Sequence, residues 1–248
     1  MHPPLPWHHV HLTSPDRGTS AAWYQQHLGL HRADPSKRSE NLYLGPNLIQ
    51  IQGEAVAVTP HSGEIENLGF GVPDPEAFVS RLVAGGATRT DTRTVLDPWG
   101  TPFEFIEADV TDIKFQGVHI GVDDPDAVAH WYAGHLGGQV TACPFDRTRL
   151  QVSYDTACLT VGERQQASAK SRPIDHLGWF CNDLTHLATS LTRSGVEFTI
   201  PPRPYGGVRL AFIRDPAGIW SELVEPPGGR ILSRNPAHTP AFFTCKFL

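Results

Sequence analysis

The sequence predicts an α+β protein made of four repeated units, each a strand, a helix and then several strands. A repeated pattern carries this expectation. It reads HVHLTSPD from His9, NLGFGVPD from Asn67, GVHIGVDD from Gly117 and HLGWFCND from His176, and each alternating run ends in Asp seven positions after its first residue. Helical apolar spacing follows these Asp residues, and 22 prolines with 23 glycines indicate short elements joined by tight turns.

Taken in order, each unit has its own signals. In the first, Asp16 is placed to cap a helix by accepting a backbone N–H of its first turn, and the helix runs through AAWYQQHLGL. In the second, Phe78, Val79, Leu82 and Val83 share one helix face after Asp74, and Gly85 is the stop. The unit closes on DPWGTPFEFIE, where Asp–Pro–x–Gly is turn chemistry and Glu104 lies on the strand that follows. The third unit, after Asp124, repeats the first as AHWYAGHLGG. The fourth repeats the second. Leu184, Leu187, Ala188 and Leu191 line its helix after Asp183, Gly195 is the stop, and DPAGIWSELVE carries Glu222. Trp23, Tyr24, Trp131 and Tyr132 sit at helical spacing and are expected in the core. The first and third units are offset by 108 residues and the second and fourth by 109, giving modules over 7–112 and 115–227 and a C-terminal arm over 228–248.

Composition narrows the function. The formal net charge is -6 and no Lys or Arg run makes a basic stripe, which disfavours nucleic acid as a partner. No apolar run approaches the roughly 18 residues of a membrane span. The opening MHPPLPWHHV lacks the basic and apolar regions of a secretory leader. Cys143, Cys158, Cys181 and Cys245 show no C-x-x-C spacing, which suggests free thiols in a reducing compartment, and the cytoplasm is the expected location.

Together the paired units, HVHL…D…WY…HLG, IDHLGW…D and DPxG…E, resemble the vicinal oxygen chelate superfamily. Its members include glyoxalase I, methylmalonyl-CoA epimerase, extradiol dioxygenases and bleomycin or fosfomycin resistance proteins. The resemblance covers nearly the whole chain to about Pro227. It implies four βαβββ units forming two tandem modules, each pair of units closing a cupped mixed sheet around a possible metal site.

In that family, ligands come from the first and last strands of each unit. The matching first-strand positions are His9, Asn67, Gly117 and His176; the last-strand positions are Gln50, Glu104, a residue near Leu159 or Thr160, and Glu222. If neighbouring units pair, both sites are incomplete. If the first unit pairs with the fourth, one site gathers His9, Gln50, His176 and Glu222, a set that resembles that of methylmalonyl-CoA epimerase. Two imidazoles, an amide oxygen and a carboxylate suit one divalent transition metal, Co, Ni, Mn, Fe or Zn, better than Ca. The bland reading of any one strand histidine is structural. Glu104 reads as a remnant or buried partner. His11 faces the same side as His9 and recurs as His119, which makes it a fold or pocket residue; His8 is expected to point away and be exposed.

The expected chemistry is proton transfer beside chelated substrate oxygens through a metal-stabilised enolate, a lyase or isomerase reaction with Glu222 as ligand and candidate base. Arg203, Tyr205 and Arg209 are candidate contacts for a small, possibly anionic substrate, with His11 lining the pocket; the alternative is that these arginines are surface residues. Two other functions stay open. One is a non-haem Fe(II) dioxygenase using His9, His176 and Glu222; the other is a protein that binds an antibiotic or natural product. The crossed arrangement lets a monomer complete the cup, and a homodimer is the other possibility.

Overall fold

The structure, a computed structural model, describes residues 4–33, 39–53, 64–164 and 173–229. Each of the four units is a βαβββ unit. The first comprises β1 (Trp7–Ser14), α1 (Arg17–Leu28), β2 (His31–Arg32), β3 (Ser39–Leu44) and β4 (Asn47–Gly53). The second comprises β5 (Ile65–Val72), α2 (Pro75–Ala84), β6 (Thr88–Arg89), β7 (Thr94–Leu96) and β8 (Pro102–Glu107). The third comprises β9 (Lys114–Val122), α3 (Pro125–Leu136), β10 (Gln139–Ala142), β11 (Leu150–Ser153) and β12 (Cys158–Glu163). The fourth comprises β13 (Ile174–Phe180), α4 (Leu184–Arg193), β14 (Phe198–Tyr205), β15 (Val208–Arg214) and β16 (Trp220–Glu225). Of the arm expected over 228–248, residues 228 and 229 fall in a short 3-10 turn, and the remainder lies outside the described residues.

The repeated Asp caps each helix. The carboxylates of Asp16, Asp74, Asp124 and Asp183 accept from the backbone N–H of Thr19, Ala77, Ala127 and His186 at 2.8–3.0 Å. The His–Leu–Gly endings of α1 and α3 work through their glycines. Gly29 and Gly137 adopt φ of 69° and 79°, the left-handed conformation that ends a helix without a Cβ penalty. The two Asp–Pro–x–Gly segments are matching turns, in which the Asp97 and Asp215 carboxylates each accept two backbone N–H groups at 2.7–2.9 Å.

The pairing of units is crossed. One eight-stranded sheet has the order β14-β15-β16-β13-β1-β4-β3-β2 and joins units one and four; the other, β10-β11-β12-β9-β5-β8-β7-β6, joins units two and three. At the centre of the first sheet, β1 and β13 run antiparallel with His11 opposite His176 and His9 opposite Gly178. Neither sheet is built from one of the contiguous repeats 7–112 or 115–227.

Units one and two, which share no sheet, stay neighbours through α1 instead. Trp23 Nε1 donates to the Gly85 carbonyl at 2.7 Å and the Tyr24 hydroxyl to Asp97 at 2.6 Å, tying α1 to unit two. Between the sheets, the Trp7 ring lies 5.4 Å from Trp179 and 6.3 Å from Phe115. Trp7, Trp179, Tyr24 and Tyr132 are fully buried in this shared core, each contributing about 1.5–3 kcal/mol. Trp23 is buried as well, and Trp131 packs against the same cluster as a half-buried residue. The helices cover one face of each sheet. In the first sheet Ala211, Ile213 and Leu223 join that core, whereas Leu210, Phe212 and Trp220 alternate with them and form a separate cluster on the opposite, cupped face.

Candidate metal centre

Four adjacent strands, β4, β1, β13 and β16, bring the predicted ligand positions to the cupped face of the first sheet. His9 stands on β1 and His176 on β13. Glu222 on β16 lies opposite Gly178, and Gln50 on β4 lies opposite His11. The pair Gln50–His11 in unit one is thus the counterpart of Glu222–Gly178 in unit four. Gly178 makes room for the site, because a Cβ there would overlap the His9 imidazole.

Three candidate ligand atoms converge. His9 Nε2 lies 3.3 Å from His176 Nε2, and both nitrogens lie 3.2 Å from Glu222 Oε2. Donor atoms about 2.0–2.1 Å from one ion, at tetrahedral to octahedral angles, stand about 2.9–3.4 Å apart, so this triangle has metal-ligand spacing. The chemistry of the set fits as well: two imidazoles and a carboxylate suit a divalent first-row ion. Gln50 donates through Nε2 to Asn41 Oδ1 at 2.9 Å, which leaves its carbonyl oxygen, the ligand end of an amide, for the cup.

Electrostatics reinforce the cluster. Burial alone would raise the Glu222 pKa, but hydrogen bonds from His176 and His9 hold it well below the usual carboxylate range. Burial also opposes protonation of His176; hydrogen bonds to Asp175 and Glu222 outweigh it and raise the pKa to about 9. Burial lowers the pKa of His9 despite Glu222. It pushes His11 further down, with His176 and His9 adding to the effect. Any divalent cation held by these carboxylates would have to displace the proton from His176.

His8 and Asp175 lie where simple alternation does not place them. His8 was expected to point away, but its Nδ1 lies 3.0 Å from His9 Nδ1, and its ring sits 3.8 Å from that of Phe180. Asp175, fully buried, has Oδ2 2.8 Å from His176 Nδ1. Each occupies a register shift in the β1–β13 ladder, one between Trp7 and His9, the other between the partners of His11 and Leu12. A bulge of this kind re-aims a side chain.

The other candidates fall into two groups. His11 stacks on His176 with ring centroids 4.5 Å apart, inside the cluster. Arg203 pairs with Leu210, which places it on the cupped face, exposed to solvent. Tyr205 is 43% exposed at the tip of the β14–β15 hairpin. Arg209 pairs with Glu225 on the opposite face of the sheet, three residues from Phe212, and is engaged there by Glu225 at 2.8 Å and Thr185 at 3.0 Å. Phe212 and Trp220, absent from the candidates that motif positions offer, form the apolar wall beside the candidate ligands, with Phe212 5.1 Å from the His176 ring. Arg214 lies over Trp220 at 4.6 Å. Period-two alternation back from Glu222 could have found Trp220; Phe212 follows only once the β15–β16 register is known.

The second cup keeps the scaffold and has other residues at the candidate ligand positions. Asn67, Gly117 and Glu104 stand at the equivalent positions, with Thr160 opposite His119. Glu104 Oε2 is taken by His119 Nδ1 at 2.7 Å and Asn67 Nδ2 at 3.3 Å. Burial opposes ionisation of Glu104, yet these hydrogen bonds still lower its pKa. A Cβ at Gly117 would collide with the Cys158 carbonyl, so no histidine fits there without backbone movement. What remains is a cavity of about 270 Å³ among Arg93, Glu104, Gln116, Arg149 and Thr160.

Comparison with known proteins agrees with this architecture. Residues 114–223 match the family model of the Glyoxalase/Bleomycin resistance protein/Dioxygenase superfamily. Glyoxalase I from Zea mays shares the fold at 17% identity and a TM-score of 0.71, covering 88% of this chain and 92% of that chain. A putative dioxygenase from Bacillus subtilis subsp. subtilis str. 168 does so at 17% identity and a TM-score of 0.69, covering 92% and 88%. No curated protein matches the chain.

Proposed function

We propose that the chain, whose residues 114–223 match the Glyoxalase/Bleomycin resistance protein/Dioxygenase superfamily model, is a divalent-metal-dependent lyase or isomerase acting on a small substrate with adjacent oxygens. The observation that carries the reading is the triangle of His9 Nε2, His176 Nε2 and Glu222 Oε2, with sides of 3.2–3.3 Å. These residues would hold the ion, with the Gln50 carbonyl oxygen as the fourth donor. When bound, the ion supplies Lewis acidity toward two neighbouring substrate oxygens, which favours loss of a proton from the adjacent carbon.

The side chains do the rest. Both imidazoles reach Glu222 through Oε2, so Oε1 is the oxygen that takes the substrate proton and returns it. Leu210, Phe212 and Trp220 keep water from that transfer. Arg203 holds an anionic substrate end on the cupped face. One chain contributes both halves of this cup, so a monomer suffices. No helix among the described residues is long and apolar enough to cross a membrane.

The test begins with metal content after loading with Co, Ni, Mn, Fe and Zn, where one ion per chain is expected. Solvent deuterium should then enter a chelating 2-oxo acid at the carbon beside its oxygens, and removing the metal should stop it. A chain that holds no metal under any loading, or binds ligands without turnover, would move the reading to a binding protein. The Fe(II) dioxygenase is a second reading, favoured by one observation: the triangle itself is made of two histidines and one carboxylate, the set such a centre uses. Oxygen uptake by the Fe(II)-loaded chain with a catechol would select it.

A further inference from the structure

We infer that His8 and Asp175 are positioning residues that select Nε2 as the metal-ligating atom of His9 and His176; the inference rests on the metal reading above. Its basis is a bulge repeated in all four units. The register shifts fall at His8 and Asp175 in one central strand pair and at Glu66 and Gln116 in the other. Each of these residues stands immediately before its unit's first ligand position, eight residues before the helix-capping Asp. In the second cup the bulged side chains lean on the opposing strand: a Cβ added at Gly121 would strike the Glu66 carboxylate, and one at Gly71 would fall 2.6 Å from Gln116 Nε2. The bulge thus belongs to the scaffold, with or without histidines beside it.

In the first cup the same bulge gives each ligand ring a hydrogen-bond partner on its far nitrogen. A neutral imidazole carries one N–H, and the nitrogen without it offers the lone pair to a metal. The Asp175 carboxylate is an acceptor, so a neutral His176 donates through Nδ1 and presents Nε2 bare toward Glu222. The His8–His9 contact joins two Nδ1 atoms 3.0 Å apart, so one of them donates. When His9 ligates through Nε2, its proton is on Nδ1 and His8 is the acceptor.

The two backings differ in charge, and that difference has a consequence. Glu222 and Asp175 together bring two negative charges to a divalent ion, whereas His8 brings none. Asp175 therefore sets both the tautomer and the charge of the centre, and His8 the tautomer alone.

The experiment uses the full chain, loaded with Zn2+ under chelator competition, with ring nitrogens read by 15N NMR. Wild type should show Nδ1 protonated and Nε2 metallated in both His9 and His176. His8→Ala and Asp175→Ala should each weaken zinc binding about 10- to 100-fold. His8→Asn, which restores an acceptor, should recover most of the loss, and Asp175→Asn should recover less, because the charge stays missing. Thermal melts of the metal-free proteins separate folding from ligation; if the alanine variants do not fold, the asparagine variants decide. Affinity within twofold of wild type in the folded variants, or ligation through Nδ1, overturns the inference while leaving the metal reading standing. Wild type that takes up no zinc overturns the metal reading itself, and the inference with it.

Discussion

Replacing Gly178 by alanine adds one carbon to the cup and nothing elsewhere, which makes it a sharp test of the site. The new Cβ would overlap Cε1 and Nδ1 of His9. Non-bonded carbon atoms rest about 3.5–4.0 Å apart, so the ring has to withdraw by more than about 1 Å. Metal–ligand distances tolerate about 0.2 Å, so a shift of that size takes Nε2 out of the triangle it makes with His176 and Glu222. Affinity for Co2+ should fall by at least about 100-fold, the upper end of what losing a supporting contact costs. Stability should fall by only about 1–3 kcal/mol, the usual cost of overpacking. A titration followed by the visible absorption of bound Co2+ gives the first number, and a denaturant titration gives the second. Gly69→Ala is the internal control. It is the equivalent glycine of the second cup, where a Cβ would fall 3.0 Å from His119 Nε2, and it should leave Co2+ binding unchanged. If Gly178→Ala binds Co2+ as tightly as wild type, His9 is not a ligand and the site as described is wrong.

Other perturbations have equally definite outcomes. Glu222→Gln should stop deuterium exchange into a chelating substrate and weaken metal binding at least about tenfold, measured on the same preparation; retained exchange would assign the base elsewhere. Glu104→Gln in the second cup should leave the metal content at its wild-type value, and loss of an ion would show that cup to be a metal site. The pKa of Asp215 is raised by burial to about 6 from 3.8, so its contribution to stability is present at low pH and lost as pH rises through about 6. Asp215→Asn keeps an oxygen for the Ala217 and Ile219 N–H groups and removes the charge. It should melt above wild type at pH 7.5, with the difference gone by pH 4; a difference independent of pH would refute the assignment.

Much of the architecture was legible because its signals are local. An Asp that caps a helix, a glycine that ends one and an Asp–Pro–x–Gly turn each act within a few residues, and all four units carry such marks. The crossed pairing has no local trace, since His9 and His176 meet across 167 positions. It could be favoured beforehand because it gathered the good ligands in one cup. The bulges were invisible for a different reason: WHHVH alternates as any strand does, and nothing in it marks an extra residue between Trp7 and His9. Strict alternation therefore turned His8 outward and gave Asp175 no role. The side of the sheet taken by Arg209 depended on the register of β15 against β16, which composition does not carry.

The crossed pairing also orders events in time. Units two and three lie between units one and four in the chain, as an inner pair of brackets lies within an outer pair. During synthesis the inner cup has all its strands once β12 has emerged, while β1 still waits for β13 and β16. His9 and Glu222 are 213 residues apart in sequence, and at about 5–20 residues per second the ribosome takes roughly 10–40 s to supply the second after the first. Through that interval the imidazole of His9 has neither of its convergent partners. A nascent chain can complete the inner cup but not the outer one until β16 has been made, so the four strands of the centre come together only after that point.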